Sequence, residues 1–241
     1  MALEEIFPFI YGVRILYVNA FLLAEDEGIT LIDSGLANHR ETFLRALSEI
    51  KRSSEELKHI VLTHHHTDHA GNLAVLVEAS GAEVWAHPLE ATIVRGEVPL
   101  PCSNPNSMML KMLWPLVGRL SVYNRLAPTR VDHEVTDGEE LPVAGGMKAV
   151  HTPGHTAGHM CYLVERHGGV LFVGDAATNI LGLRPPLGMS TLDMAQAKDS
   201  IRKLAALEFD VACFGHGGVL KGKANAAFRR SVEKLAVKPL S

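Results

Sequence analysis

Four histidines and one aspartate occur within six consecutive residues, in the segment HHHTDH at positions 64–69. So many imidazoles beside a carboxylate are costly to bury unless something binds them, and both groups are common ligands for zinc and similar ions. Alternate residues of an extended segment point the same way, so His64 and His66 can share one ion while the residue between them points away. Asp68 and His69 lie further along the turn and could face a second ion. The segment therefore predicts a metal centre rather than a solvated polar loop.

Three further segments offer metal-ligand side chains near apolar runs. His155 follows a Pro-Gly pair in the segment HTPGH, Asp175 follows the run VLFVG, and His216 lies between glycines after a short apolar run. The Pro-Gly pair makes a tight turn that would present His155 at a strand end. Each segment alone is weak or moderate evidence, because a turn aspartate or a histidine beside glycines is ordinary. Their occurrence together with HHHTDH favours one shared site.

The elements that must position these side chains alternate between strands and helices. Residues 14–33 predict two strands joined by a turn at Glu25–Gly28, and later apolar runs predict short strands at 59–63, 82–86, 147–152, 160–165, 169–175 and 209–214. Apolar residues at helical spacing predict helices at about 43–50, 72–79, 193–207 and 221–236. Mixed strands and helices around one core predict an α/β layered domain. Ligand sites in such proteins commonly form at strand ends, which is where the candidate ligands fall.

The chain has 241 residues, is 47% apolar and 21% charged, and carries a formal net charge of −4. This length fits a single domain, residues 1–241, that can bury a core without disulfides. The acidic balance argues against nucleic-acid binding, for which a basic face is usual. Apolar runs are too short to span a membrane, and the first residues lack the basic end of a secretory signal. We therefore expect a cytoplasmic protein that acts on a small molecule and binds neither nucleic acid nor membrane.

In combination the four segments resemble the metallo-β-lactamase superfamily, whose pattern is HxHxDH, a later His after a Pro-Gly turn, an Asp and a final His. The resemblance spans about residues 14–218. It implies an α/β fold, the four-layer αββα metallo-β-lactamase sandwich, with the site at one edge of the two sheets. It also implies two metal sites, the first held by His64, His66 and His155 and the second by Asp68, His69 and His216, with Asp175 as a bridge.

The chemistry that the resemblance implies rests on two divalent ions, zinc first, with iron or manganese as alternatives. Two such cations can share a bridging water and lower its pKa towards neutrality, so that the hydroxide attacks a carbonyl or phosphoryl centre. Asp68 is placed to accept the water's proton or to orient the hydroxide, which makes it the candidate catalytic residue. Asp33, in the turn Asp33-Ser34-Gly35, would support the loops of the site. His159 would hydrogen-bond the turn that carries His155.

Asp175 discriminates among the branches of the family. Enzymes that open β-lactam antibiotics usually have Cys or Ser there, whereas a bridging aspartate resembles the glyoxalase II-like, lactonase-like and phosphodiesterase branches. Residues 217–241 are too few for the helical domain with which glyoxalase II enzymes bind glutathione. Many lactonases have a Tyr three residues after the bridging aspartate, where this chain has Thr178. Thr178 could bind a substrate, although an exposed loop position is the commoner placement for threonine.

We therefore expect a binuclear metal-dependent hydrolase that uses a metal-bridging hydroxide on an ester, thioester or lactone. Three alternatives stay open at this point. The first is a mononuclear iron sulfur dioxygenase of the same fold, in which two His and one Asp hold the iron. The second is a phosphodiesterase, and the third is a metal-binding scaffold without activity.

The interval between His66 and His155 leaves room for an insertion at about 96–132, which is punctuated by prolines and rich in Met and Leu. We interpret this insertion as a lid over the metal site. Met112 and Trp114 would give the lid an adaptable apolar surface for a substrate group. Core packing and a homodimer contact are the alternative interpretations.

Overall fold

Two mixed β-sheets face each other in a computed structural model of the chain, which describes residues 3–101 and 126–237. Within those residues the first sheet has seven strands in sequence order, namely β1 (Leu3–Phe7), β2 (Ile10–Ile15), β3 (Val18–Glu25), β4 (Gly28–Ile32), β5 (Leu57–Val61), β6 (Glu83–Ala86) and β7 (His133–Glu134). Strands β1 to β4 pair antiparallel, and β4 to β7 pair parallel. The carboxyl ends of β4, β5 and β6 therefore meet at one edge of this sheet.

The second sheet has the spatial order β13-β12-β11-β10-β9-β8. Its strands are β8 (Glu140–Leu141), β9 (Met147–His151), β10 (Met160–Val164), β11 (Val170–Gly174), β12 (Val211–Phe214) and β13 (Leu220–Lys221). Neighbouring β11 and β12 run parallel, while the other pairs are antiparallel. The segments that follow β11 and β12 consequently leave the sheet at the same edge.

Helices cover the outer face of each sheet. They are α1 (Arg40–Glu49), α2 (Thr67–Ala70), α3 (Leu73–Ser80), α4 (Pro88–Val94), α5 (Met194–Ala205) and α6 (Ala224–Val237). Apolar residues of α1, α3 and α4 pack on the first sheet, and those of α5 and α6 pack on the second. The order of layers is thus α/β/β/α, and the predicted αββα sandwich is confirmed.

Alternation along the strands divides the core into layers, because successive side chains of a strand point to opposite faces. In β3, Ala20 and Leu22 pack against the helices, whereas Phe21 and Leu23 pack against the second sheet. Strands β10 and β11 are buried at every position, which fits strands that are covered on both faces. The site therefore stands on strands whose positions are determined by packing from both sides.

Two local expectations were incomplete. The first predicted strand, over the start of residues 14–33, is divided by a tight turn, since β2 ends at Ile15 and β3 begins at Val18. Leu16 in this turn has a φ of 57°, a conformation that its side chain does not signal in the sequence. Helix α4 was not predicted, although Pro88 in its first turn suits a helix start.

Most of the predicted lid insertion, including Met112 and Trp114, lies in residues 102–125, outside the described residues. Its interpretation as a lid therefore stays a prediction. Across the two described ranges, no helix combines the length and the apolar character needed to cross a lipid bilayer.

Candidate metal centre

Chain topology brings the candidate ligands to one edge of the sandwich. Asp33 and the HHHTDH segment follow the adjacent parallel strands β4 and β5, and Asp175 and His216 follow the adjacent parallel strands β11 and β12. Backbone hydrogen bonds join the two sheets here, from Met160 N to the Thr63 carbonyl at 2.9 Å and from Asn19 N to the Gly215 carbonyl at 2.8 Å. The two halves of the site therefore come together where the sheets meet.

All seven predicted ligands converge on this edge. In the described part of the chain, their ligand atoms form three groups whose members lie within 4.8 Å of one another: His64, His66 and His155; His64, His69 and Asp175; and Asp68, His69 and His216. The group of His64, His66 and His155 matches the first predicted metal site, and we call it the first triad. The group of Asp68, His69 and His216 matches the second predicted site, and we call it the second triad. The remaining group contains Asp175 and one histidine of each triad, so it links the two.

Asp175 contacts both triads. Its Oδ2 lies 3.5 Å from His155 Nε2 and 3.2 Å from His216 Nε2, and its Oδ1 lies 3.5 Å from His69 Nε2. His216 Nε2 is also 3.4 Å from Asp68 Oδ2. These positions are those of a carboxylate that could touch two neighbouring cations.

Hydrogen bonds on the far side of the rings determine which nitrogen faces the centre. His69 Nδ1 lies 2.8 Å from Asp33 Oδ2, and His216 Nδ1 lies 3.1 Å from the Tyr17 carbonyl. A carboxylate and a carbonyl can only accept, so both Nδ1 atoms carry the proton. Each Nε2 is therefore the nitrogen that faces the centre, as in histidines that bind metals, and a bound cation would take the place of a proton there.

The same logic applies to His64 and His155, which hydrogen-bond threonine hydroxyls. The Thr63 hydroxyl donates to Asp33 and the Thr191 hydroxyl donates to the Leu187 carbonyl, so each hydroxyl proton is already used. The hydroxyl oxygens therefore accept from His64 Nδ1 at 2.9 Å and from His155 Nδ1 at 3.4 Å. In the remaining ligand of this triad, His66, Nδ1 faces His155 Nε2 at 2.9 Å.

Three buried polar atoms of the centre have no hydrogen-bond partner among the described residues, namely His64 Nε2, His69 Nε2 and Asp175 Oδ1. Leaving such atoms unpaired is costly, and native proteins rarely do so without a reason such as an ion. The space beside them is kept open by Gly215, because a Cβ at that residue would come within 2.5 Å of Asp175 Oδ1 and of His69. Two ring nitrogens and a carboxylate oxygen around one space are the ligand types of a divalent cation.

The carboxylates of the centre are ionised. Burial would raise the pKa of Asp175, but the imidazoles of His69 and His216 outweigh it and hold this pKa far below its ordinary value. Burial is outweighed in the same way at Asp68, whose pKa falls to about 2. Conversely, the carboxylates around His69, led by Asp175, overcome burial and raise its pKa to about 9. The centre is therefore a concentration of negative charge facing imidazoles, a setting that favours a cation.

The histidines of the first triad are neutral at pH 7. Burial, reinforced by neighbouring imidazoles, lowers the pKa of His66 to about 4 and holds the pKa values of His64 and His155 well below the ordinary value. Their lone pairs are consequently available to a metal without loss of a proton.

Glu90, in α4, was not anticipated from the sequence. Its side chain is only 2% exposed, and Oε2 accepts from the His65 backbone at 2.9 Å and also contacts His65 Nδ1. Oε1 accepts from Thr156 Oγ1 and from Gly158 N, both at 2.8 Å. Glu90 thus ties the loop of His64 and His66 to the turn of His155. His65 points away from the centre, as expected, and its role is this link.

Two further groups hold ligand-bearing loops. The Asn19 amide donates to the carbonyls of Phe214 and Gly217, at 3.0 and 2.8 Å, on either side of His216. His159 is fully buried, contacts Thr152 Oγ1 through Nδ1 at 2.8 Å, and accepts from Asp175 N through Nε2 at 3.0 Å. The predicted contact of His159 with the His155 turn is present, and its hydrogen bond to Asp175 was not foreseen.

A cleft of about 360 Å³ opens over the centre. Its floor includes Asp68, Asp175 and His216, and its walls include apolar side chains such as Leu36 and Ile180. Thr178 also lines the cleft, and the expectation of an exposed loop position for it was wrong, since it is 6% exposed. The reason is a reciprocal pair of backbone hydrogen bonds with Arg184, at 2.9 and 3.0 Å, which folds the loop back over the threonine.

Comparison with known proteins agrees with this geometry. The family model described as the metallo-beta-lactamase superfamily matches residues 13–216, most of the chain. The chain belongs to this superfamily. It is 29% identical over 244 residues to the Bacillus subtilis (strain 168) protein named "Probable metallo-hydrolase YflN", covering 94% of this chain and 89% of that protein.

Two other similar proteins bear on structure and activity. The crystal structure of a metallo-beta-lactamase family protein from Thermus thermophilus superposes with a TM-score of 0.72 at 28% identity, over 96% of this chain and 79% of that one. The atrochrysone carboxyl ACP thioesterase of Aspergillus fumigatus is 26% identical over 205 residues, 84% of this chain and 38% of that protein. The superfamily, its metallo-hydrolase relatives and the ligand groups together support a metal-dependent hydrolase.

Proposed function

We propose that the protein is a binuclear metal-dependent hydrolase of an ester, thioester or lactone, close in function to the glyoxalase II-like and lactonase-like members of its superfamily. The observation that carries this proposal is the position of Asp175. Its two oxygens lie within 3.5 Å of histidines from both triads, so one carboxylate can serve two cations at once. A mononuclear enzyme would use only one triad to bind its metal ion, and the ligand residues of the other triad would bind none.

The residues fit zinc first, with iron or manganese as alternatives, since imidazole and carboxylate ligands suit all three. Bound divalent ions would lower the pKa of a bridging water and stabilise the charge that develops on the carbonyl oxygen. Asp68 has the position of a proton acceptor, because its side chain is 22% exposed on the cleft floor and is held by His216. Asp33 keeps the His69 ring oriented through its hydrogen bond to Nδ1.

The reaction needs no protein nucleophile. Water adds to the carbonyl carbon, the C–O or C–S bond breaks, and the proton taken from the water is delivered to the departing oxygen or sulfur. Asp68 is the group placed to receive and return that proton. The substrate binds in the cleft, where Thr178 lines the wall and can offer its hydroxyl.

Two features favour carboxylic esters and thioesters among the substrates of this superfamily. Asp175 stands where the enzymes that open β-lactams usually have Cys or Ser, and a thioesterase is among the relatives. Apolar side chains on the cleft walls suit a substrate with an apolar part.

The test combines metal analysis with a substrate panel. Protein purified without chelators is analysed for zinc, iron and manganese, and is then assayed with phenyl esters, acyl thioesters, lactones, phosphodiesters and a small organic persulfide. About two divalent ions per chain and hydrolysis of one of the first three classes support the proposal. A single iron per chain with oxidation of a persulfide would replace it with the sulfur dioxygenase. Turnover of the phosphodiesters alone, or of no substrate by fully loaded protein, would also contradict it.

A further inference from the structure

A second pocket adjoins the metal centre beside helix α4. It has a volume of about 210 Å³ and shares His66, His155 and Pro101 with the cleft. We call it the α4 pocket. Because both cavities touch the same two histidines, a molecule whose reacting carbon lies over the centre can extend directly into the α4 pocket.

The surface that the α4 pocket offers is apolar. Leu89, Ile93, Ala157 and Leu192 line it. The polar groups His65, Glu90 and Thr156 also line it, and they are hydrogen-bonded to one another. A chain that entered would therefore bury methylene groups against apolar side chains.

Leu89 is a large apolar residue in the wall of the α4 pocket that is exposed to solvent. It is 52% exposed although it stands beside a concave surface, whereas solvent-facing positions of a short helix are usually polar. An exposed leucine is ordinary on a convex surface. On the wall of a pocket that opens to the metal centre, it instead suits contact with an apolar ligand.

The position of Asp68 decides which part of the substrate enters. Asp68 and His216 line the cleft but not the α4 pocket. The leaving oxygen or sulfur must lie near Asp68 to receive its proton, so the leaving group occupies the cleft. The acyl side of the carbonyl is then directed towards His66, His155 and the α4 pocket.

We propose that the α4 pocket receives the unbranched apolar acyl chain of the substrate, which makes the protein a hydrolase of medium-chain acyl esters or thioesters. This inference rests on the function proposed above. At ~30 Å³ for a group of the size of a water molecule, 210 Å³ holds about six or seven chain atoms. Hexanoyl to octanoyl groups should therefore fit and longer chains should not.

The first test is a series of p-nitrophenyl esters and thioesters from acetyl to dodecanoyl. Burial of one methylene is worth ~0.8 kcal/mol, which is about a fourfold rise in kcat/KM per added methylene. We expect this rise to continue to about hexanoyl or octanoyl and then to stop. A flat profile, in protein that hydrolyses the acetyl ester well, would overturn the acyl-pocket assignment while leaving the proposed function intact.

The second test uses variants of the pocket wall with a matched control. Leu89→Ala should lower kcat/KM for the hexanoyl ester about tenfold and that for the acetyl ester less than twofold. Ala157→Leu, at an exposed position that tolerates a larger side chain, should fill the pocket and abolish the gain from chain length. Val75→Ala, an equally simple truncation at an exposed position in α3, should change neither substrate. Metal content, measured for each variant, shows whether the centre is intact.

A binding measurement gives a readout that does not depend on turnover. Calorimetric titration with the carboxylate products should show tighter binding of hexanoate than of acetate, and Leu89→Ala should remove the difference. Three results would overturn the inference: equal binding of both acids, equal loss with Val75→Ala, or a length dependence that follows the alcohol instead of the acyl group. Absence of any ester or thioester hydrolysis by two-metal protein would reject the proposed function, and this inference with it.

Discussion

Glu90→Gln should weaken metal binding by the first triad. Glutamine keeps the size of the side chain and can keep an oxygen towards Thr156 and Gly158. Its amide group then faces the backbone N–H of His65, so that a donor replaces an acceptor. The loop that carries His64 and His66 loses its anchor to the turn of His155, whereas the second triad has no contact with Glu90.

The burial and charge of Glu90 indicate how much this residue contributes to folding stability and to metal affinity. Burial alone would raise its pKa, but His65 and the hydrogen bonds from Thr156 and the backbone lower it to about 2 from 4.5. At 1.36 kcal/mol per pH unit this is ~3 kcal/mol of stability. Because the folded-state pKa is the lower one, this stability is complete above pH 4.5 and is lost as the pH falls towards 2. Loss of a group that orients metal ligands typically costs 10–100-fold in metal affinity, roughly what we expect here.

The assay is chelator competition for zinc at pH 7, together with urea unfolding. Leu204→Ala is the matched control, because Leu204 is fully buried in α5 and its truncation should cost ~2–5 kcal/mol without reaching the centre. We expect Glu90→Gln, but not Leu204→Ala, to lower zinc affinity, with one of the two ions lost first. If both variants unfold more easily and both keep wild-type zinc affinity, Glu90 is an ordinary part of the core and the reasoning is refuted.

The same contacts support three further predictions. Asp68→Asn should reduce kcat by roughly 10²–10⁴-fold, as removal of a proton acceptor does, while urea unfolding of the metal-free protein changes little; unchanged activity would show that Asp68 is neither a ligand nor a base. Asn19→Ala removes two cross-sheet hydrogen bonds beside His216 and should cost ~1–3 kcal/mol in unfolding free energy and weaken the second ion in chelator competition, an effect that Leu204→Ala should not share. Chelation of the metals should lower the melting temperature, and zinc at about 100 times its Kd should restore ~2.7 kcal/mol per site in calorimetry. If zinc does not change the melting temperature, the three buried atoms that lack hydrogen-bond partners among the described residues do not bind zinc.

The metal ligands could be predicted because their residue types occur in short, recognisable segments of the sequence. His64, Asp175 and His216 each follow a short run of apolar residues that predicts a buried strand, so their placement at strand ends was expected from local pattern. Their convergence could not be worked out from any one segment. It depends on which strands are neighbours and parallel, and the family pattern supplied that information.

Glu90 shows what local pattern misses. A glutamate in the first turn of a helix ordinarily serves the helix dipole from a solvated position. Here it is buried because its partners, His65 and Thr156, come from loops that are far away in sequence. A buried carboxylate of this kind leaves no periodic signal. The only hint in the sequence is the helix start at Pro88, two residues earlier.

The predictions for Thr178 and for the chain at Leu16 were wrong for the same reason. The burial of Thr178 depends on two backbone hydrogen bonds with Arg184, and the residue types at these positions do not predict those hydrogen bonds. Leu16 adopts a left-handed backbone conformation in a position where glycine or asparagine would have signalled a turn. In both cases tertiary contacts override the preference of the residue, which local reasoning cannot foresee.

The supporting contacts imply that metal binding and sheet packing are coupled. Asn19 of the first sheet holds the carbonyls that flank His216 of the second, and Met160 of the second holds the carbonyl of Thr63 beside His64. The Tyr162 hydroxyl, fully buried between the sheets, donates to the Leu62 carbonyl at 2.9 Å, two residues before His64. Separation of the sheets would therefore pull both triads apart at once, since each triad draws ligands from both sheets. A cation bound across this edge resists that separation, so the ions should stabilise the packing of the whole sandwich as well as the loops that hold them.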